Sequence, residues 1–376
     1  MKKHLQRLWH RFLAQDWLAV AAAAGLLAGG LCFIYSASWR GEETGIAGAW
    51  FGRQVQWGIV GGAVALVLAL CDYRAWIRGA WWLWLAAVGG LALVLVAGVR
   101  VYGASRWLRI GPALLQPSEF AKVALVVLLA RVLGGGAIGK RSFAFVAVAL
   151  LLAAPVFLLI LEEPDLGTAM VIPPTVLFML VAGGAAWRHL FAIGAAGAAC
   201  APLGWFVLGD YQRERILTFL DPSRDPLSSG WNALQSAIAV GSGGLYGKGF
   251  LNGTQNVLGF LPRTVSPSDF IFPVIAEETG FIGACLLLAA YVVLLACYLR
   301  AAAAARDPEG SLLATGIAGL LFCHAFVNIG MTVGLLPITG LPLPLVSSGG
   351  SFLLSTLAGF GLVQSVCVHR RTDKER

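Results

Sequence analysis

Nine predominantly apolar stretches of this 376-residue chain run for 18 residues or more without an Asp, Glu, Lys or Arg: 17–39, 54–71, 79–99, 142–161, 166–187, 190–209, 279–299, 311–336 and 351–368. Crossing the hydrocarbon of a bilayer takes about 20 predominantly apolar residues. A tenth stretch, about 110–131, is apolar apart from Glu119, Lys122 and its last residue, Arg131. Composition points the same way. Apolar residues make up 58% and charged ones 12%, against about 45–50% and about 25% in a soluble domain. So few charges cannot cover a water-facing surface, and the bias is opposite to that of a disordered chain. The expectation is an all-α polytopic membrane protein, a single domain over 1–376, with about ten transmembrane helices.

Ten spans put both termini on one side, and basic residues decide which. With the N-terminus inside, 16 of the 27 Lys+Arg fall on inner segments, among them Arg74, Arg78, Lys140, Arg141, Arg300 and Arg306. The inner segments then carry a net charge of +10 and the remainder −2, out of a total of +8. Positive loops stay in the cytoplasm, so both termini are expected to be cytoplasmic. The positive excess describes orientation and needs no nucleic-acid partner. The N-terminus, Met1-Lys-Lys-His-Leu-Gln-Arg, leads into the first span with no small-residue cleavage site, which reads as an uncleaved helix. The seven cysteines lie in or beside the spans and none forms a CxxC. They read as small buried hydrophobes, with no disulfide framework or zinc site.

One connection stands out. About 210–268, between spans seven and eight, is expected outside as a large extracytoplasmic loop. Loops of that length are functional or disordered, and this one has few disorder-promoting runs. Within it Trp231–Val240 reads as a short amphipathic helix, able to lie at the outer interface. Gly241-Ser-Gly-Gly-Leu-Tyr-Gly-Lys-Gly then breaks it.

Ionisable groups inside spans are expensive and mark function by default. Glu119 and Lys122, at i,i+3 in Gln116-Pro-Ser-Glu-Phe-Ala-Lys, form either a mutual ion pair or the lining of a wet, charged cavity. Pro117 suits the first position of that helix. Upstream, Arg106 and Arg109 flank Trp107, reading as an interfacial belt or as an anionic headgroup site. Asp165 in Glu162-Glu-Pro-Asp-Leu-Gly can cap the sixth helix, and Pro173-Pro174 should kink or break that helix. Ser268 or Asp269 can cap the eighth. With Glu277 and Glu278 two turns on, Asp269 can instead border a polar cavity; the neutral alternative is helix packing with paired acids. His324 and Asn328 suit hydrogen bonds to neighbouring helices. No nucleotide fingerprint or metal-ligand spacing is present, which speaks against a nucleotide-driven pump.

Taken in order, several of these segments resemble one family. They are Gly103-Ala-Ser-Arg-Trp; Gln116-Pro-Ser-Glu-Phe-Ala-Lys; Pro164-Asp-Leu-Gly-Thr-Ala; Asp221-Pro through Gln235-Ser with the glycine loop 241–249; Ser268-Asp-Phe-Ile-Phe with Ala276-Glu-Glu-Thr-Gly-Phe; and Phe326-Val-Asn-Ile-Gly-Met, Gly334–Leu345 and Ser348-Gly-Gly-Ser. Together they resemble the SEDS (shape, elongation, division, sporulation) family. Gly340-Leu-Pro-Leu-Pro-Leu and the glycine loop look more like its RodA (elongation) branch than its FtsW (division) branch. Two departures stand out. Pro267-Ser268 occupy the place of the family's usual His-Thr, and Ser347-Ser348-Gly-Gly that of its Ser-Tyr-Gly-Gly.

The resemblance implies a peptidoglycan glycosyltransferase of the bacterial cell inner membrane. Such enzymes polymerise lipid II for cell-wall growth and rod shape, and pair with a class B penicillin-binding protein, a transpeptidase. The family's essential acid falls on Asp269, which displaces the capping reading. Its outer-loop tryptophan falls on Trp107, and the polar pair of its fourth helix on Glu119 and Lys122. Arg106, Arg109, Asp165, Gln235, Ser236 and Lys248, in or beside the matching motifs, are the further candidates for substrate contact. An inverting transfer needs a base on the attacking hydroxyl, here Asp269. The leaving pyrophosphate needs positive charge, from Arg106, Arg109, Lys122 or Lys248, or from a divalent cation such as Mg or Mn. Two rivals share these features: a lipid II flippase, and a non-catalytic activator of the transpeptidase.

Overall fold

A computed structural model of the chain describes residues 2–39, 44–101, 104–111, 113–207, 209–225, 229–262 and 265–370. Gly103, the start of one motif, and the C-terminal Arg371, Lys374 and Arg376 lie outside the described residues. The fold is mainly helical. Helices α1 (Lys2–Leu13), α2 (Trp17–Ser38), α3 (Thr44–Leu70), α4 (Tyr73–Arg78) and α5 (Ala80–Ala97) come first. Strands β1 (Val99–Val101), β2 (Ala104–Ile110) and β3 (Ala113–Leu115) follow, then α6 (Pro117–Gly134), α7 (Phe143–Glu162), α8 (Leu166–Ala182) and α9 (Trp187–Val207). The segment 209–270 carries α10 (Asp210–Leu220), α11 (Ser229–Ser242) and α12 (Thr254–Val257). The chain closes with α13 (Ile271–Ala304), α14 (Pro308–Thr332) and α15 (Gly350–Val368).

Each of the nine stretches falls on a helix, although α3 begins ten residues before its stretch and α13 eight residues before. Seven of these helices (α2, α3, α5, α7, α13, α14 and α15) are long and apolar enough among the described residues to cross a membrane. Burial sorts them. Within an apolar 18-residue window of each, 72% of α14 and 78% of α15 is buried, against 17–39% in the other five. An apolar helix that stays exposed within its own protein is one that meets lipid. So α14 and α15 form the core, with α3, α6, α8 and α13 packed against them.

The structure corrects several sequence expectations. The chain is not all-α: β1, β2 and β3 form a three-stranded antiparallel sheet in the order β1-β2-β3. Val99 pairs with Trp107, and Leu108 with Leu115. The apolar residues of β3 had extended the fourth span back to about 110. Gln116, extended at φ −104° and ψ 105°, ends the strand, and Pro117 opens the helix at its first position, as the steric demand of proline on its predecessor requires. Helix α8 is not broken at Pro173-Pro174. Packing against α14 and α6 holds it, and the Thr175 hydroxyl donates to the Val171 carbonyl at 2.8 Å. Instead, the break falls in α13 at Gly280, where φ is +69°. Cys297, Cys323 and Cys367 are buried, but Cys32, Cys71, Cys200 and Cys285 are exposed on outward faces. Helix α11 forms over the stretch read as amphipathic, and ends at Ser242.

Candidate active site

Asp269 stands on a turn just before α13. It does not cap that helix: the N-cap is Phe270, with no side-chain cap bond. The turn is held through its backbone instead. The Asp269 N–H donates to the Val265 carbonyl at 2.9 Å. The Asn328 amide donates to the carbonyls of Asp269 at 2.9 Å and Leu341 at 2.7 Å. The Ser347 hydroxyl donates to the Ser268 carbonyl, and the Ser348 N–H donates to the Pro267 carbonyl at 2.9 Å. The two places where the sequence departs from the family pattern therefore meet each other. Gly340, at φ +74°, lies against the acid: a Cβ there would stand 3.2 Å from Asp269 Oδ2.

Asp269 is half-buried, and its carboxyl is crowded by protein. Burial pushes it up to about 7, against the downward pull of the Ser268 hydroxyl and the Arg215 and Arg106 guanidiniums, while Asp165 pushes it further up. Desolvation disfavours the charged form and nearby cations favour it. Three sequence candidates, Asp269, Asp165 and Arg106, thus share one electrostatic neighbourhood.

Arg106 and Asp165 tie the sheet to the turn between α7 and α8. The Arg106 Nε–H donates to the Glu163 carbonyl at 3.0 Å, its Nη2 to the Pro164 carbonyl, and its Nη1 lies 3.8 Å from Asp165 Oδ1. Asp165 does cap α8, accepting from the Thr168 N–H at 3.2 Å and the Thr168 hydroxyl at 2.9 Å. It also accepts from the Gln116 amide at 3.1 Å. Glu163 beside it is fully buried, with no hydrogen-bond partner on either oxygen among the described residues. Burial, with Asp165 adding to it, pushes that carboxyl up to about 8. Trp107 is half-buried on the same strand, and Arg109 is exposed.

Glu119 and Lys122 do form an ion pair, at 3.0 Å with both side chains only 3% exposed. Lys122 Nζ also lies 2.8 Å from His324 Nε2. The small cavity beside them is lined by Val123 and Ser355. Both residues also line an apolar cavity of about 550 Å³ between α3, α5, α6 and α15, within the usual size range of ligand sites.

The other candidates stand elsewhere. Gln235 and Ser236 are buried on α11, where the Ser236 hydroxyl donates to the Thr332 carbonyl at 2.8 Å. Lys248 pairs with Glu277 at 2.6 Å, and Glu278 accepts from Ser36. Both acids are thus engaged by groups of the protein itself. Sequence reasoning missed Arg215, whose helix Asp210–Leu220 is rich in both charge signs and looks like any solvated helix. It missed Gln116 too, although that residue opens a motif it had singled out. No three His, Cys, Asp or Glu side chains converge among the described residues to hold a metal ion.

Residues 16–372 match the cell cycle protein family that groups FtsW, RodA and SpoVE. The chain belongs to this family. It is 41% identical to the peptidoglycan glycosyltransferase MrdB of Escherichia coli (strain K12), over 90% of this chain and 89% of that one. Among solved structures it resembles the rod shape determining protein RodA of Thermus thermophilus, with TM-score 0.70 and 34% identity over 96% and 99% of the two chains. It also resembles a chain of a peptidoglycan synthase complex described as coordinating polymerization and crosslinking. There the TM-score is 0.81 and the identity 36%, over 96% of this chain and all of the other. The fold is that of a RodA-like multi-pass membrane protein.

Proposed function

We propose that this family member polymerises lipid II by an inverting glycosyl transfer in which Asp269 is the general base. The chain is a peptidoglycan glycosyltransferase, the activity named for its MrdB relative. The observation that carries the assignment to Asp269 is its setting: a half-buried carboxyl on the turn before α13, pushed up to about 7 by burial and pulled back by the Arg215 and Arg106 guanidiniums. A base works best when its pKa lies near the working pH. Asp269 takes the proton of the acceptor's GlcNAc 4-hydroxyl as that oxygen attacks C1 of the donor glycan, from the face opposite the pyrophosphate. The anomeric configuration inverts from α to β. Arg106, Arg109 and Arg215 supply positive charge for the leaving pyrophosphate. Lys122 and Lys248 are committed to carboxylates and are poorly placed for that role. The 550 Å³ apolar cavity beside β2 and α6 suits the prenyl tail of the substrate.

The whole chain, 1–376, acts as one transmembrane domain of ten spans with both termini in the cytoplasm. The segment 210–268 and the catalytic turn face outward from the inner membrane. The partner is a class B penicillin-binding protein, a reading supported by the likeness to a subunit of a peptidoglycan synthase complex.

The deciding experiment is lipid II polymerisation by purified Asp269→Asn in detergent. This variant should unfold at the wild-type temperature and make no polymer. Glycan chains of normal length and yield from it would remove Asp269 as base. Polymer made by the wild type in detergent, without two compartments, separates a polymerase from a flippase.

A further inference from the structure

The helix that follows the catalytic turn is broken. At Gly280 φ is +69°, a conformation an L side chain rarely adopts. A break leaves backbone groups on either side without partners inside the helix, a costly state within a bilayer. The glycine loop 243–249 fills those vacancies. The Lys248 and Gly249 N–H groups donate to the carbonyls of Glu277 and Glu278, both at 3.0 Å. Beyond the break, the Phe281 and Ile282 N–H groups donate to the carbonyls of Gly244 at 2.8 Å and Leu245 at 3.2 Å. The approach is so close that a methyl group on Gly247 would overlap the Glu278 carbonyl. The loop is thus a strap laid into the break.

One ion pair fastens it. Glu277 is fully buried, and Lys248 Nζ lies 2.6 Å from its Oε1. The same ammonium donates to Ser242 Oγ at 2.9 Å and Thr254 Oγ1 at 2.6 Å. Glu277 also accepts from the Thr254 hydroxyl at 2.9 Å and from the Gln255 N–H at 3.1 Å. Thr254 opens α12, which leads to the catalytic turn. The Asn256 amide donates to the Ser36 carbonyl at 2.9 Å, and its oxygen accepts from the Ser266 hydroxyl at 3.1 Å. Ser266 lies three residues before Asp269.

We propose that Lys248 is a positioning residue. Its ion pair with Glu277 locks the strap 243–249 into the break at Gly280 and, through α12, fixes the turn that presents Asp269. The proposal rests on the reading of Asp269 as the base, and it separates two roles for Lys248. A ligand for pyrophosphate acts on substrate binding and is indifferent to Glu277. A fastener acts on turnover and is coupled to Glu277, because removing one member of a buried pair strands the other charge, while removing both does not.

The test uses the full-length protein in detergent, as wild type, Lys248→Met, Glu277→Gln and the double variant. Lys248→Met should lower kcat by about tenfold or more while KM for lipid II stays within about twofold. The double variant should recover to within about threefold of wild type. Hydrogen exchange gives a readout independent of activity. Protection of the Gly249, Phe281 and Ile282 amides should fall about tenfold or more in Lys248→Met and return in the double variant. A double variant as impaired as Lys248→Met overturns the proposal, as does unchanged exchange in Lys248→Met or a rise in KM with kcat intact. A wild type that makes no polymer would instead defeat the functional reading, and the exchange data would then decide the strap alone.

Discussion

If Asp269 is the base and its carboxyl stands at about 7, polymerisation should titrate across neutrality. The deprotonated share rises from about a tenth at pH 6 to about nine tenths at pH 8, so kcat/KM should rise about tenfold over that window. Because the base must be ionised, activity is lost as pH falls through 7 and levels off above about pH 8. An aspartate at its ordinary value of 3.8 would give a flat profile over the same range. The neighbours supply the directional test. Arg215 holds the carboxyl down and Asp165 holds it up. Arg215→Gln should therefore move the midpoint to higher pH, and Asp165→Asn should move it lower. Glu163, at about 8, titrates nearby, and Glu163→Gln separates the two: the midpoint near 7 should survive it. The assay is the initial rate of lipid II polymerisation in buffers of constant ionic strength, since the guanidinium contributions are screened by salt. A flat profile between pH 6 and 8 refutes the reasoning, and so does an acid shift in Arg215→Gln.

Four further outcomes follow from the site's construction. Exchanging Glu119 and Lys122 should keep more polymerisation than Ala at either position, because the buried pair survives; equal loss in all three variants argues against a simple ion pair. Breaking that pair with Lys122→Met should cost roughly 3–5 kcal/mol of stability, seen as a lower unfolding temperature, and Glu119→Gln should restore most of it. Gly340→Ala puts a Cβ 3.2 Å from Asp269 Oδ2 at φ +74°. That conformation costs about 1–2 kcal/mol, and kcat should fall with little change in KM. Asn328→Leu leaves the carbonyls of Asp269 and Leu341 without their donor, at about 1–3 kcal/mol for each buried group. It should slow polymerisation without weakening lipid II binding, and a raised KM at constant kcat would count against the positioning role.

The apolar helices were legible because each is a property of one stretch of chain. The start of α6 at Pro117 and the cap of α8 by Asp165 are equally local. What escaped depends on distant contacts or on ambiguous apolarity. Ala113–Leu115 is as apolar as a helix, so β3 merged with the fourth span. Gly280 lies at the head of an uncharged run and looked like span interior. Its conformation is fixed by a loop more than thirty residues earlier in the chain. Lys248 and Glu277 are 29 residues apart, and Arg106 reaches partners 57 and 58 residues away. Asp269 shows the limit most clearly. Local grammar favoured a helix cap, and only the resemblance pointed to chemistry. The structure gives a physical reason to set the cap aside, since the turn is held by Asn328 and Ser347 from other elements.

The scarcity of charge explains why this acid suits proton transfer. A buried carboxylate in a low-dielectric interior has two resolutions: it acquires a partner or it takes up a proton. Glu277 takes the first course with Lys248, and Glu119 does so with Lys122. Glu163 takes the second. It has no hydrogen-bond partner on either oxygen among the described residues, and at about 8 it is mostly neutral near pH 7. Neither course yields a good base, because a carboxylate engaged by an ammonium has its electron pairs committed there, and a protonated acid is only a weak acceptor of a hydroxyl's proton. Asp269 lies between them. It is only half-buried, and the pull of Arg215 and Arg106 offsets part of the burial penalty. Both protonation states are then populated near neutrality, as an acid that must accept a proton in the transfer and release it afterwards requires.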